Sequence, residues 1–355
     1  MRRETGFGTQ QDICAKRANA MKRRTFLTAA TAALLTPAAP ALGQISGDEV
    51  FSAAARYSAE HGGVAFLVVR NGVVLAEAYA DGVREAERWP IGAGTKILAP
   101  LLAASMVRDR ALNLNEPVAM TFGEWGADPV KQLITVRQLL CGTSGLGFAP
   151  GAPTTLEGAM ALQPQAAPGT RFIDSAAPYL LFAEIARRKL VTAGRGQDPA
   201  RYLTERTLSA IGALPIGWTR DSSGAARFDN GAHLSARSWA LVGELIRREG
   251  FWRATTLVDR DTLRAARASE APEPRAGMGL WISAHSGGSG DLSVDSDLWQ
   301  MRPQAPEDLV MAAGEGAQRL YLVPSEQLVA VRLSRGEPSP SWSDARFLAL
   351  LSSEL

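Results

Sequence analysis

Cysteine and histidine are scarce in this chain, and their scarcity removes several kinds of chemistry. Two cysteines and three histidines occur among 355 residues. Cys14 falls in the N-terminal leader described below, which leaves Cys141 alone and excludes an intrachain disulfide or a cysteine metal site in the remainder. His61, His233 and His285 are far apart and form no His-x-x-x-His pair, so neither a metal centre nor another cofactor is expected. Beyond the N-terminus there is no run of about 20 apolar residues, the length a membrane-spanning helix needs. What is present is a balance of 46% hydrophobic and 21% charged residues, which suits one large globular domain or two intimately packed lobes rather than a disordered chain.

The N-terminus reads as an export signal. Lys22-Arg23-Arg24-Thr25-Phe26-Leu27 is a basic cluster that runs straight into the Ala- and Leu-rich stretch Leu27 to Leu35. Pro37 ends that stretch, and Ala39-Pro40-Ala41 and Ala41-Leu42-Gly43 are small-x-small cleavage candidates. The paired arginines followed by x-Phe-Leu resemble a bacterial twin-arginine signal, so residues 1–43 are expected to be a leader and the mature protein periplasmic or secreted. Met21 is an alternative start. The leader holds seven Lys or Arg against two Asp or Glu, a local net of +5, so the chain's net +2 becomes about −3 over residues 44–355. A nucleic-acid partner, or an anionic membrane surface, then loses its electrostatic support.

Strand patterns sit at both ends of the remaining chain. Val64 to Val69 and Val73 to Ala76 flank Asn71-Gly72, the preferred pair for a two-residue hairpin turn. Strand character returns at Gly277 to Ser283, Leu309 to Ala313, Arg319 to Val323 and Leu328 to Leu333. Between them lie helical segments, including Lys96 to Arg108, Tyr179 to Leu190 and Ser235 to Arg248, and a closing helix is expected from Ser341 to Leu355. This order predicts an α+β fold with a sheet built from about 60–90 and 277–335 and a helical lobe over about 96–270.

Several segments, in order, carry a resemblance to a known family. Ile91-Gly92-Ala93-Gly94-Thr95-Lys96, Ile134 to Leu140, Thr143-Ser144-Gly145-Leu146, Pro168 to Phe172 and Gln318 to Ser325 resemble the serine hydrolases related to class C β-lactamases and penicillin-binding proteins. The resemblance implies an antiparallel sheet formed from both chain ends, packed with a helical lobe. It also implies a Ser-x-x-Lys nucleophile at a helix start, a Tyr-x-Asn-type second motif and a Lys/His-x-Gly-type third motif. In that chemistry the serine attacks an ester or amide carbonyl, the lysine helps deprotonate it, and backbone N–H groups hold the oxyanion.

The chain departs from that pattern where the chemistry resides. Ala93 stands at the serine position, while Lys96 is kept. The second motif falls in Phe172-Ile173-Asp174-Ser175-Ala176, with Asp174 at the tyrosine position, and the third at Gly314-Glu315-Gly316, with Glu315 where many relatives have histidine. No Ser-x-x-Lys exists in residues 44–355, and Thr95, two residues from Ala93, is expected to face away from the cleft.

Lys96 is therefore expected to need a counter-charge, supplied by Asp174 and by Glu315 if that turn reaches it. For Asp174 and Ser175 the competing role is to cap the helix after Ala176, and for Glu315 it is a solvated turn. Gln318 and Arg319 read as strand-edge residues, and Trp281 and Trp299 as a substrate wall or as packing. Lys96, Ala93 and Asp174 thus mark the degenerate catalytic position, and Ser175, Glu315 and Gly316 a binding wall. The expected function is a catalytically silent, exported β-lactamase-like protein that binds a small molecule, a peptidoglycan-like peptide or an envelope partner. The alternatives are an ester, amide or β-lactam hydrolase that activates water through Lys96 and the carboxylates, and an interaction protein that uses only its surface.

Overall fold

Asn71 and Gly72 both take left-handed backbone angles, φ 48° and 80°, which match a two-residue turn to the twist of its strands. The turn joins β1 (Gly63–Arg70) to β2 (Val73–Tyr79), with Arg70 opposite Val73. The computed structural model describes residues 51–149, 151–152, 154–269, 272–283, 292, 294–300, 305–336 and 342–353, all within one compact unit. The expected leader at 1–43, His285 and the start of the closing helix at 341 lie outside the described residues.

Four later strands complete the main sheet: β3 (Trp281–Ile282), β4 (Val310–Gly314), β5 (Gln318–Val323) and β6 (Leu328–Ser334). All pairings are antiparallel and the order is β2-β1-β6-β5-β4-β3, so the first and last parts of the domain meet along β1 and β6. The sheet ends earlier than the sequence suggests. Trp89–Pro90 pairs instead with Ala232–Leu234, which also pairs with Gly217–Trp218, in a separate small sheet.

Alternation along the strands gives the sheet two apolar faces. Leu67, Val69, Leu320, Leu322, Val329 and Val331 face the helical lobe. That lobe includes α2 (Leu98–Arg108), α3 (Val136–Leu140), α4 (Ala177–Thr192) and α5 (Ala236–Arg247). A Cβ on Gly243 would lie 2.8 Å from a Leu322 methyl, so the glycine lets α5 sit close against the sheet. The opposite face, with Phe66, Val68, Tyr321 and Ala330, is covered by α1 (Ser52–Glu60) and α6 (Asp344–Ser352). Among the described residues no helix is long and apolar enough to cross a membrane.

Gln318 and Arg319 are not edge residues. Strand β5 lies inside the sheet between β4 and β6, and Arg319 is only 2% exposed. The charge is tolerated there because its guanidinium is fully engaged: Nε donates to Asp344 Oδ1 at 2.9 Å, Nη1 to Gly314 O at 3.2 Å and Nη2 to Asp295 O at 2.5 Å. The Tyr321 hydroxyl also donates to Asp344. Arg332 on β6 is equally buried and donates to Ala317 O at 2.6 Å and to Gly316 O at 3.3 Å, with its guanidinium 4.1 Å over the Trp342 ring. Burial pushes the Arg332 guanidinium down to about 10.

Candidate functional site

Residues 92–97 form a 3₁₀ turn that leads into α2. Side chains three apart eclipse in such a turn, so Ala93 and Lys96 share a face. Thr95 is fully buried away from them: its hydroxyl donates to Gly92 O at 2.7 Å and accepts from the Ala232 N–H at 3.0 Å.

Asp174 is carried to Lys96 by a strap laid across the Gly142–Gly147 turn. Gln165 N donates to Gly145 O (2.7 Å), Gly169 N to Thr143 O (2.7 Å) and Ile173 N to Gly142 O (2.8 Å). The approach at Gly145 needs glycine, since its φ is 80° and a Cβ would lie 2.2 Å from Ala166 O. At the end of the strap Lys96 Nζ meets Asp174 Oδ1 at 2.6 Å, with the two side chains only 14% and 8% exposed. Nζ also stands 5.3 Å from the Tyr179 ring centroid. Burial, reinforced by the Asp174 charge, raises the Tyr179 phenol well above its ordinary range and keeps it neutral.

Ser175 meets the N-terminal end of α4, whose N-cap is Ala176. Ser175 Oγ accepts from the Ala177 N–H at 3.3 Å and from the Phe148 N–H at 3.1 Å, while Pro178 occupies the first turn of α4.

Glu315 lies in the turn between β4 and β5, exposed as an isolated turn residue would be, yet its carboxylate is not free in solvent. Gly316 (φ 73°) and Ala317 (φ 54°) fold the turn back so that Glu315 Oε2 accepts from the Ala93 N–H at 2.8 Å. Gly92, at φ 54°, leaves room for that carboxylate, because a Cβ there would lie 2.1 Å from Oε2. The buried Arg332 holds the same turn from behind through the Gly316 and Ala317 carbonyls.

Ala93, Lys96, Asp174, Ser175, Glu315 and Gly316 all line one cavity of about 290 Å³. Its apolar wall includes Phe172 and Trp281, edge to face with centroids 6.2 Å apart. Trp299 is packed behind Trp281 at 6.0 Å, with its indole N–H donated to Ile282 O at 2.9 Å. Tyr179 and Asp295 also line the cavity and were missed by sequence reasoning. Tyr179 carried a signal: it is an aromatic in the first turn of the helix directly after the second motif. Asp295 carried none. Among the described residues no group of three His, Cys, Asp or Glu side chains is placed to hold a metal.

The arrangement can bind and orient, but Lys96, Asp174, Glu315 and Ser175 are already engaged. The lysine contacts a carboxylate, and the N–H of residue 93 is capped by a second carboxylate. Among the described residues the lining hydroxyls are Ser175, which receives two backbone N–H groups, and the buried Tyr179.

A family model described as Beta-lactamase matches residues 48–353. Among curated proteins none matches the sequence. Solved structures share the fold at low identity. A penicillin-binding-protein homologue from Caulobacter crescentus is 16% identical with a TM-score of 0.66, covering 89% of this chain and 100% of its own. A β-lactamase/D-alanine carboxypeptidase from Pseudomonas syringae is 14% identical with a TM-score of 0.64, covering 86% and 98%. A family VIII carboxylesterase is 15% identical with a TM-score of 0.66, covering 88% and 99%.

Proposed function

The chain belongs to the beta-lactamase family, and we propose that it is an exported member without acyl-serine catalysis that uses its cleft to bind a small molecule or peptide. The bacterial periplasm or exterior is the compartment that the twin-arginine-like leader supports. The observation that supports the reading is the Ala93 N–H donated to the Glu315 carboxylate at 2.8 Å, taken with the sequence resemblance that aligns this alanine with the nucleophile position. A methyl group cannot attack a carbonyl. An oxyanion forming beside residue 93 would also meet a negative carboxylate instead of a free N–H donor, which opposes the stabilisation that acyl transfer needs.

The Lys96–Asp174 contact supports binding over water activation. A lysine bound at 2.6 Å to a carboxylate is an ion pair, not a base presented to water. The test is intact-mass analysis of the purified protein after exposure to a fluorophosphonate and to benzylpenicillin. No adduct is expected, and an adduct near one per chain overturns the reading. Ester turnover that is abolished by Lys96→Ala would instead favour the water-activating hydrolase.

A further inference from the structure

We infer that the cleft takes an organic cation, an ammonium group carried on an apolar or aromatic body. The inference rests on the ligand-binding reading above and adds the ligand's charge.

The charges in and directly behind the lining are unequal. Lys96 is matched by Asp174. Arg319 reaches the lining but is bound to the buried Asp344. Asp295 and Glu315 remain, both on the lining, both exposed, and neither in an ion pair among the described residues. Among the described residues, two cations therefore face four carboxylates. Counting Arg332 as well, three cations face four, although it is buried behind the turn and against Trp342. The excess is negative either way, and a cleft that focuses one sign of charge favours the opposite sign in its ligand.

The second observation is independent of charge. Phe172 and Trp281 present indole and phenyl surface to the same cavity that Glu315 lines. Trp281 is braced from behind by Trp299, whose N–H is fixed on Ile282 O. An indole face attracts a cation through its quadrupole, and more strongly as water is excluded. Glu315 is held in place before any ligand arrives, because Ala93 N–H fixes one of its oxygens. A carboxylate ligand would meet like charge on that wall, and a neutral ligand would gain only the aromatic surface.

Three probes share one ring and differ in charge: benzyltrimethylammonium, benzyl alcohol and phenylacetate. Isothermal titration at low ionic strength, with thermal shift as a second readout, is expected to show benzyltrimethylammonium bound at least about tenfold more tightly than phenylacetate. Glu315→Gln keeps an acceptor for the Ala93 N–H and removes only the charge. It is expected to weaken the cation about three- to tenfold, with benzyl alcohol unchanged. Trp281→Leu is expected to weaken it by a similar factor.

Equal or tighter binding of phenylacetate or benzyl alcohol overturns the inference and leaves the ligand-binding reading intact. Cation binding indifferent to both substitutions overturns it too, as does silence from all three probes. The reading beneath it fails separately, on a covalent adduct in the mass experiment.

Discussion

Replacing Lys96 with alanine should destabilise the protein by about 2–4 kcal/mol, because it removes the ammonium bound to the Asp174 carboxylate, whose side chain is only 8% exposed. The number follows from the contact. At 2.6 Å and an effective dielectric constant of about 20, the attraction between the two charges is about 6 kcal/mol before any cost is subtracted. Removing both groups from water consumes much of it, but side-chain exposures of 14% and 8% mean that neither group is fully dehydrated.

Asp174→Ala should cost a similar amount, since it strands the ammonium. The double variant removes both charges and should therefore be less damaged than the two singles added together, by about 2 kcal/mol. Urea unfolding of the four proteins measures this coupling directly. In thermal melts the Lys96→Ala loss should appear as a fall of about 4–10 °C in Tm. A coupling below about 0.5 kcal/mol would refute the reasoning, for the pair would then behave as a solvated surface contact.

Ala93→Ser alone should leave p-nitrophenyl butyrate turnover at background, because Glu315 still caps the N–H of residue 93 and Asp174 still holds Lys96; turnover in this single variant refutes that account. Gly92→Ala should cost about 1–3 kcal/mol by urea unfolding, since the new methyl strains a φ of 54° and strikes Glu315 Oε2. Asp344 contributes to acid stability. Burial raises its carboxyl, but the Arg319 charge and the hydrogen bonds from Arg319 and Tyr321 outweigh burial and hold it below its ordinary range. Its contribution is therefore complete above the unfolded value of about 3.9 and is lost as the pH falls through the lower folded value. Asp344→Asn should remove that acid-side slope and cost about 3–5 kcal/mol at neutral pH, read from urea midpoints across the acid range.

Much of the fold was legible because its signals are local. Asn71-Gly72 specifies its own turn, and the alternation in Arg319 to Val323 and Leu328 to Leu333 marks strands whatever their neighbours. The spacing of Ala93 and Lys96 was legible for the same reason, since one helical turn separates them. Arg319 misled because an arginine in a strand suggests solvent, and the counter-charge that helps make its burial tolerable, Asp344, lies 25 residues later. The bond from Ala93 N–H to Glu315 spans 222 residues, and no periodicity encodes it. Trp89–Pro90 left the main sheet because Ala232–Leu234, a partner far along the chain, offered it another edge.

The Arg319 fork has a consequence for how the protein is handled. One guanidinium ties Asp344 in the last helix to Gly314 and Asp295, both on the cavity lining. Shortening the polypeptide ahead of residue 344, or crowding that helix with a fused handle, would loosen the backbone from which Glu315 is presented. Helix α6 is thus tied to the cavity wall through Arg319, though none of its residues Asp344–Ser352 lines the cavity.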